Sequence, residues 1–90
     1  MTIAQTIRAK LTDAFAPTAL TVEDESGLHK GHSGARPEGE THFRVKIVSA
    51  EFHGLSRVER QRRVYAVLAE ELRERVHALA LTASTPDEAV

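Results

Sequence analysis

Ile3, Ile7, Leu11 and Phe15 recur every four residues at the start of the chain, the spacing that lines one face of an α-helix. Thr2 and Gln5 form a T-x-x-Q capping box ahead of that run, and Pro17 follows it. The box satisfies amides that a helix start leaves unpaired, and proline cannot continue a helix. The pattern predicts a helix over residues 3–15.

The period then shortens to two. Leu20 and Val22 alternate with Thr21 and Glu23, a short half-buried strand that runs into Glu23-Asp24-Glu25. Phe43, Val45 and Ile47 alternate with His42, Arg44 and Lys46 within Thr41–Ser49, the cleanest strand in the sequence. Together the two predict an antiparallel hairpin with one face on a core. Between them SGLHKGHSGARPEGE, residues 26–40, holds four of the five glycines and Pro37 and keeps no periodicity. It reads as a long loop, and loops of that length inside small domains carry function or are disordered.

After the hairpin a short helical turn is expected around Glu51–His53, then a turn at Gly54 with His53 exposed beside it. Ser56 and Glu59 form an S-x-x-E box opening a helix that carries Val58, Val64, Tyr65, Leu68, Leu72 and Val76 on one broad stripe. Leu79 and Leu81 alternate with Ala78, Ala80 and Thr82, a third strand. Pro86-Asp87-Glu88 suits a last helical turn or a frayed tail over 86–90. The order helix, strand, strand, helix, strand predicts one α+β domain over residues 1–90. With the third strand beside the second, the connection is a right-handed crossover, the sheet is mixed, and helices cover one face.

Composition narrows the chemistry. The 90 residues suffice for one modest core, and the absence of cysteine removes disulfides, thiolate zinc sites and thiol nucleophiles together. Twelve Lys and Arg against 13 Asp and Glu exclude a uniformly basic nucleic-acid binder, although a local patch is compatible with that balance. No stretch approaches the roughly 18 apolar residues that span a bilayer, and no basic segment followed by an apolar one opens the chain. A soluble, unexported, cytoplasmic protein is expected, with Arg8 and Lys10 on the polar face of the first helix instead of in a presequence.

No H-E-x-x-H, P-loop, G-x-S-x-G or dinucleotide-binding glycine motif is present, so the sequence offers no support for catalysis. Glu23 to Glu25 read as a solvated strand end, because adjacent strand residues point to opposite faces. The five histidines are the remaining soft ligands. His29 and His32 lie in the loop, His42 opens the second strand and His77 precedes the third. If those two strands are parallel neighbours, the loop and the start of the third strand share one end of the sheet. Each histidine also has a plain structural reading: the loop ones as solvated polar groups, His77 as a cap on the core or on the preceding helix.

A second cluster is Arg57, Arg60, Arg62 and Arg63, four cations against Glu59 alone. Arg60 and Arg63, one turn apart, are expected on the same side of the helix. Behind Gly54 and a short turn, the cluster suits a helix-turn-helix-like unit presenting guanidinium groups to phosphates. The alternative is a solvated helix face paired with Glu59 or Glu70.

The strings FHGLSRVERQRRVYAVLAEEL (52–72) and VHALALTASTPDE (76–88), with VEDESGLHKGHSGARPEGETHFRVKIVSAEF (22–52) upstream, resemble the BolA family in several separated segments in the right order. The resemblance covers about residues 3–88 and implies a class II KH-like fold. It also implies a partnership with monothiol glutaredoxins of the CGFS type, in which a [2Fe–2S] cluster bridges the two proteins with the help of glutathione. The family's C-terminal histidine falls on His77 and its loop ligand on His29, in the histidine branch of the family because no cysteine is available. The loop is longer than the usual pattern and brings in His32 as an alternative, with His42 a third candidate. Other members are DNA-binding regulators of stress and morphology, which maps that role to residues 52–65 and to Arg57, Arg60, Arg62 and Arg63. Gly31 to Gly34 spells GxxG but lies between strands, not helices, and is read as coincidental. Alone, the protein is expected to be a monomer or weak homodimer, without a membrane partner.

Overall fold

The Thr2 hydroxyl accepts the Gln5 amide at 3.1 Å while the Gln5 side chain accepts the Thr2 amide at 2.8 Å. This closed box starts α1 (Ile3–Phe15), as its sequence predicts. The computed structural model describes residues 2–25 and 42–89. Ile7, Leu11 and Phe15 are the buried residues of α1, the four-residue stripe of the sequence. The helix ends at Ala16, held at φ 43° with its amide on the Thr12 carbonyl. That left-handed cap is usually taken by glycine because a Cβ is strained there.

Three strands follow: β1 (Ala19–Asp24), β2 (His42–Val48) and β3 (Ala78–Ser84), in the spatial order β1-β2-β3. β1 and β2 are antiparallel with Val22 opposite Val45, and β2 and β3 are parallel with Val45 opposite Leu81. The sheet is therefore mixed. Phe43, Val45 and Ile47 are buried, and the register places Leu20 and Val22 on one side of them and Leu79, Leu81 and Ala83 on the other. The opposite face carries Arg44 and Lys46 along its middle, flanked by Thr21 and Glu23 and by Ala80 and Thr82.

The core closes from the helical side. Ile7, Leu11, Phe52, Val64, Leu68 and Val76 join the three β2 residues in one buried cluster. A 3₁₀ turn (Ala50–Phe52) brings Phe52 against Phe15, ring centroids 5.1 Å apart. Ser49, fully buried at that junction, donates to the Phe15 carbonyl at 2.7 Å and accepts the Glu51 amide at 3.1 Å. One hydroxyl thus ties the end of α1 to the exit of β2, as a buried polar group must be satisfied.

Gly54 takes φ 78° after the 3₁₀ turn, a conformation open to glycine because it lacks a Cβ. Ser56 and Glu59 then form the expected reciprocal box, at 3.1 and 3.0 Å, at the head of α2 (Arg57–Val67). Two expectations for this region are corrected. The helix is not continuous: Leu68, at φ −100° and ψ 16°, separates α2 from α3 (Ala69–Glu74). Neither proline nor glycine marks the break, and Leu68 itself is buried. Beyond it Glu71, also buried, accepts both hydrogen bonds of the Lys10 ammonium, at 3.0 and 2.8 Å. Val58 is not part of the core stripe but is 54% exposed. At 100° per residue it stands about 120° around the helix from Val64, whose side defines the buried face.

The chain finishes in the predicted turn. The Thr85 amide donates to Glu88 Oε1 at 2.8 Å and the Glu88 amide to Thr85 Oγ1 at 3.3 Å, a third capping box with Pro86 just inside it. No helix among the described residues is long and apolar enough to cross a membrane.

Candidate functional site

The parallel register sets His42 opposite Ala78, so His77 stands one residue before that pair at the start of β3. The two imidazoles meet edge to face with ring centroids 6.1 Å apart. His77 is exposed and His42 half-buried. The shared end inferred from the sequence is thus real for these two residues. His77 follows Val76, whose amide, like that of Arg75, donates to the Glu71 carbonyl at 2.8 Å as the chain leaves α3. Val76 is buried, and both it and His77 precede the first residue of β3.

The end of β1 is fastened to the same place. The Glu25 amide donates to the His42 carbonyl at 2.7 Å, and Arg44 Nε reaches Glu25 Oε2 at 2.9 Å. The residues numbered 26–41 connect Glu25 to His42, so both attachment points of that segment lie at the histidine end. His29 and His32 belong to it and lie outside the described residues. Among the described residues, no group of three or more His, Asp or Glu side chains comes together to hold a metal ion. The His42 and His77 pair brings two imidazole rings together, and imidazole is a common ligand of transition metals.

The arginine cluster divides. Arg57, Arg62 and Arg63 are exposed on α2. Arg60 points away from them: Nη1 and Nη2 contact Glu88 at 2.5 and 3.1 Å, Nε donates to the Leu55 carbonyl at 3.0 Å, and Nη1 also reaches the Ala83 carbonyl at 3.2 Å. Its side chain is 12% exposed. The expectation that Arg60 and Arg63 share an outward side is corrected, because the last turn supplies Arg60 with a carboxylate partner. Arg60, with help from the Thr85 amide, holds the Glu88 carboxyl down at about 2. The T-x-x-E spacing of Thr85 and Glu88 was the available sequence signal for that turn, but not for its arginine.

These features coincide with the comparisons. A family model described as BolA-like protein matches residues 11–88. The chain is similar to BolA-like protein 1 of Homo sapiens, 51% identical over 80 residues that make up 89% of this chain and 56% of the human protein. It therefore spans about half the length of that relative. It is also similar to the DNA-binding transcriptional regulator BolA of Haemophilus influenzae, 43% identical over 88 residues, covering 98% of this chain and 82% of that protein. The solved structure of BolA1 from Arabidopsis thaliana superposes with a TM-score of 0.88 at 43% identity, covering 98% of this chain and 96% of that one. The α+β element order, the mixed three-stranded sheet and these matches over nearly the whole chain lead to one conclusion: the chain belongs to the BolA-like family.

Proposed function

We propose that this protein is an accessory or regulatory partner of a monothiol CGFS glutaredoxin and co-ligates a bridging [2Fe–2S] cluster through His77 and a second histidine. The observation that carries the reading is the His42 and His77 pair at the end of the sheet where the segment bearing His29 and His32 attaches. The donor chemistry fits half of such a centre. This chain holds imidazoles and no cysteine, and histidine replaces thiolate on one iron in Rieske-type clusters. The thiolates would come from the glutaredoxin cysteine and glutathione. A cluster held this way supplies one-electron chemistry and is itself transferable cargo. His77, one residue before β3, serves as the first ligand and His29 as the loop ligand, with His32 and His42 as the alternatives. Each imidazole must be neutral to bind iron, so acid weakens the assembly.

The test is to mix the protein with cluster-loaded glutaredoxin and follow visible absorption and circular dichroism. A new heterodimer spectrum that His77→Ala abolishes supports the reading. An unchanged spectrum in that variant defeats it.

A second reading, DNA binding, is favoured by the three exposed guanidinium groups of Arg57, Arg62 and Arg63 on one helix. It is also the activity in the name of the Haemophilus influenzae relative. Salt-dependent binding of duplex DNA that these three arginines control supports it, and binding indifferent to salt opposes it.

A further inference from the structure

Among the described residues β3 is an edge strand, since β2 pairs with it on one side alone. Three hydrogen bonds fix which of its backbone groups face outward. The Ser84 carbonyl accepts the Ser49 amide at 2.9 Å, on the β2 side. The Leu79 and Ala83 carbonyls instead accept side chains from α2, the Tyr65 hydroxyl at 3.4 Å and the Arg60 guanidinium at 3.2 Å. Strand groups alternate in direction with a period of two, so Leu81 turns its N–H and C=O outward, and Leu79 and Ala83 turn their N–H groups outward too.

This edge forms one wall of a groove of about 840 Å³ whose other wall is α2, with Leu55, Tyr65, Leu79 and Leu81 among its lining residues. A smaller adjoining hollow of about 450 Å³ continues it over Val58, Arg62 and Ala66. The two share Gln61 and Tyr65. Seven residues apart, Val58 and Tyr65 differ by about 20° around a helix, which explains why the exposed valine and the half-buried tyrosine line one continuous trough. Of the charged side chains lining it, Arg60 and Glu88 neutralise each other. Arg57 and Arg62 remain, neither in an ion pair among the described residues.

The geometry points to a docking groove for an extended, acidic peptide segment of a partner protein, which adds as a further strand on the β3 edge and sets its carboxylates against Arg57 and Arg62. Peptide addition uses the outward backbone groups at the two-residue repeat at which they occur here, and side-chain pockets supply selectivity. Charge complementarity selects the occupant: a mostly polar groove with a wholly cationic surplus and apolar positions at Leu55, Leu79, Leu81 and Val58 admits a segment that mixes acidic and apolar residues. Single-stranded nucleic acid fits less well, because it relies on a series of aromatic platforms for base stacking. The trough offers Tyr65 alone, and its hydroxyl is engaged on the edge. The proposal is independent of the cluster chemistry, and neither histidine lines the trough.

The test uses the full chain, ¹⁵N-labelled, titrated with a capped octapeptide of alternating glutamate and valine. The expected result is saturable shifts of the Leu79, Leu81 and Ala83 amides and slowed hydrogen exchange at them. The double variant Arg57→Glu with Arg62→Glu, both at exposed positions, weakens that peptide about tenfold and accepts the lysine and valine counterpart instead. An octapeptide methylated on alternate backbone nitrogens loses binding on one of its two edges. Absence of amide shifts at millimolar glutamate peptide overturns the proposal, as does equal binding by both peptides to the parent protein. Shifts at those amides with octathymidylate and not with the glutamate peptide assign the groove to nucleic acid and overturn it as well.

Discussion

Arg60 and Glu88 form a two-point ion pair, Nη1 to Oε1 at 2.5 Å and Nη2 to Oε2 at 3.1 Å, which fastens the last turn of the chain to α2. The carboxyl is held at about 2 instead of its ordinary 4.5. A carboxylate whose folded value is depressed stabilises the fold above its unfolded value, and that contribution fades as pH falls toward the folded one. In urea melts across a pH series, the advantage of the parent over Glu88→Gln is therefore expected to be constant above about pH 5.5. It should shrink between 4.5 and about 2. A gap that widens on acidification contradicts the pairing.

Phe52 and Val58 are expected to behave oppositely although both are apolar and six positions apart in the chain. Phe52 is fully buried against Phe15, so Phe52→Ala should cost about 3–5 kcal/mol. That is a large share of the roughly 5–15 kcal/mol of a typical domain. Val58→Ala should stay within about 0.5 kcal/mol. Denaturant unfolding of the two variants checks both, and comparable losses would return Val58 to the core.

Ser49 bonds two backbone groups with one buried hydroxyl. Ser49→Ala leaves the Phe15 carbonyl and Glu51 amide to find other partners and is expected to cost about 1–3 kcal/mol. Calorimetry reads this as a lowered melting temperature. The signal is specific if Thr18→Ala, which removes an exposed hydroxyl bonded to Val48, costs less.

The histidines separate ligation from stability. His77 is exposed, so His77→Ala should leave the unfolding midpoint nearly unchanged while abolishing the spectrum of the glutaredoxin complex. In a panel of His29→Ala, His32→Ala and His42→Ala, a single member should reproduce the spectroscopic loss. If none does, a two-histidine ligand set is wrong.

For duplex DNA, Arg57→Ala, Arg62→Ala and Arg63→Ala should each lower the slope of log affinity against log salt by about 0.9. Arg60→Ala should mainly lower stability, since its guanidinium is spent on Glu88, Leu55 and Ala83. Fluorescence anisotropy over a salt series distinguishes the two classes. A slope change confined to Arg60→Ala would reverse the assignment.

Much of this was legible from the residues. Local chemistry announces itself locally: the Thr2 and Ser56 boxes, the alternation of Phe43, Val45 and Ile47, and the turn after Thr85 all depend on neighbours within a few positions. The meeting of His42 with His77 followed from strand order alone. Three features escaped because their causes lie far apart in sequence. Lys10 finds Glu71 across the helical layer, Arg60 finds Glu88 across the crossover, and the break at Leu68 carries no glycine or proline to mark it. The side Val58 takes depended on where the sheet ended, which a helical wheel does not record. The readings on His29 and His32 fall outside the described residues.

The place of β3 also governs how the molecule is made. β2 is the central strand, yet its parallel neighbour is synthesised only after α2 and α3. A nascent chain can close the β1 and β2 hairpin early, but Phe43, Val45 and Ile47 then wait for α2, α3 and β3 to cover them. Parallel pairing across an intervening pair of helices is a non-local, slow step, and a half-built sheet with bare apolar residues is prone to associate. Loss of β3 (Ala78–Ser84) would thus do more than remove a strand: it would leave the core unfinished.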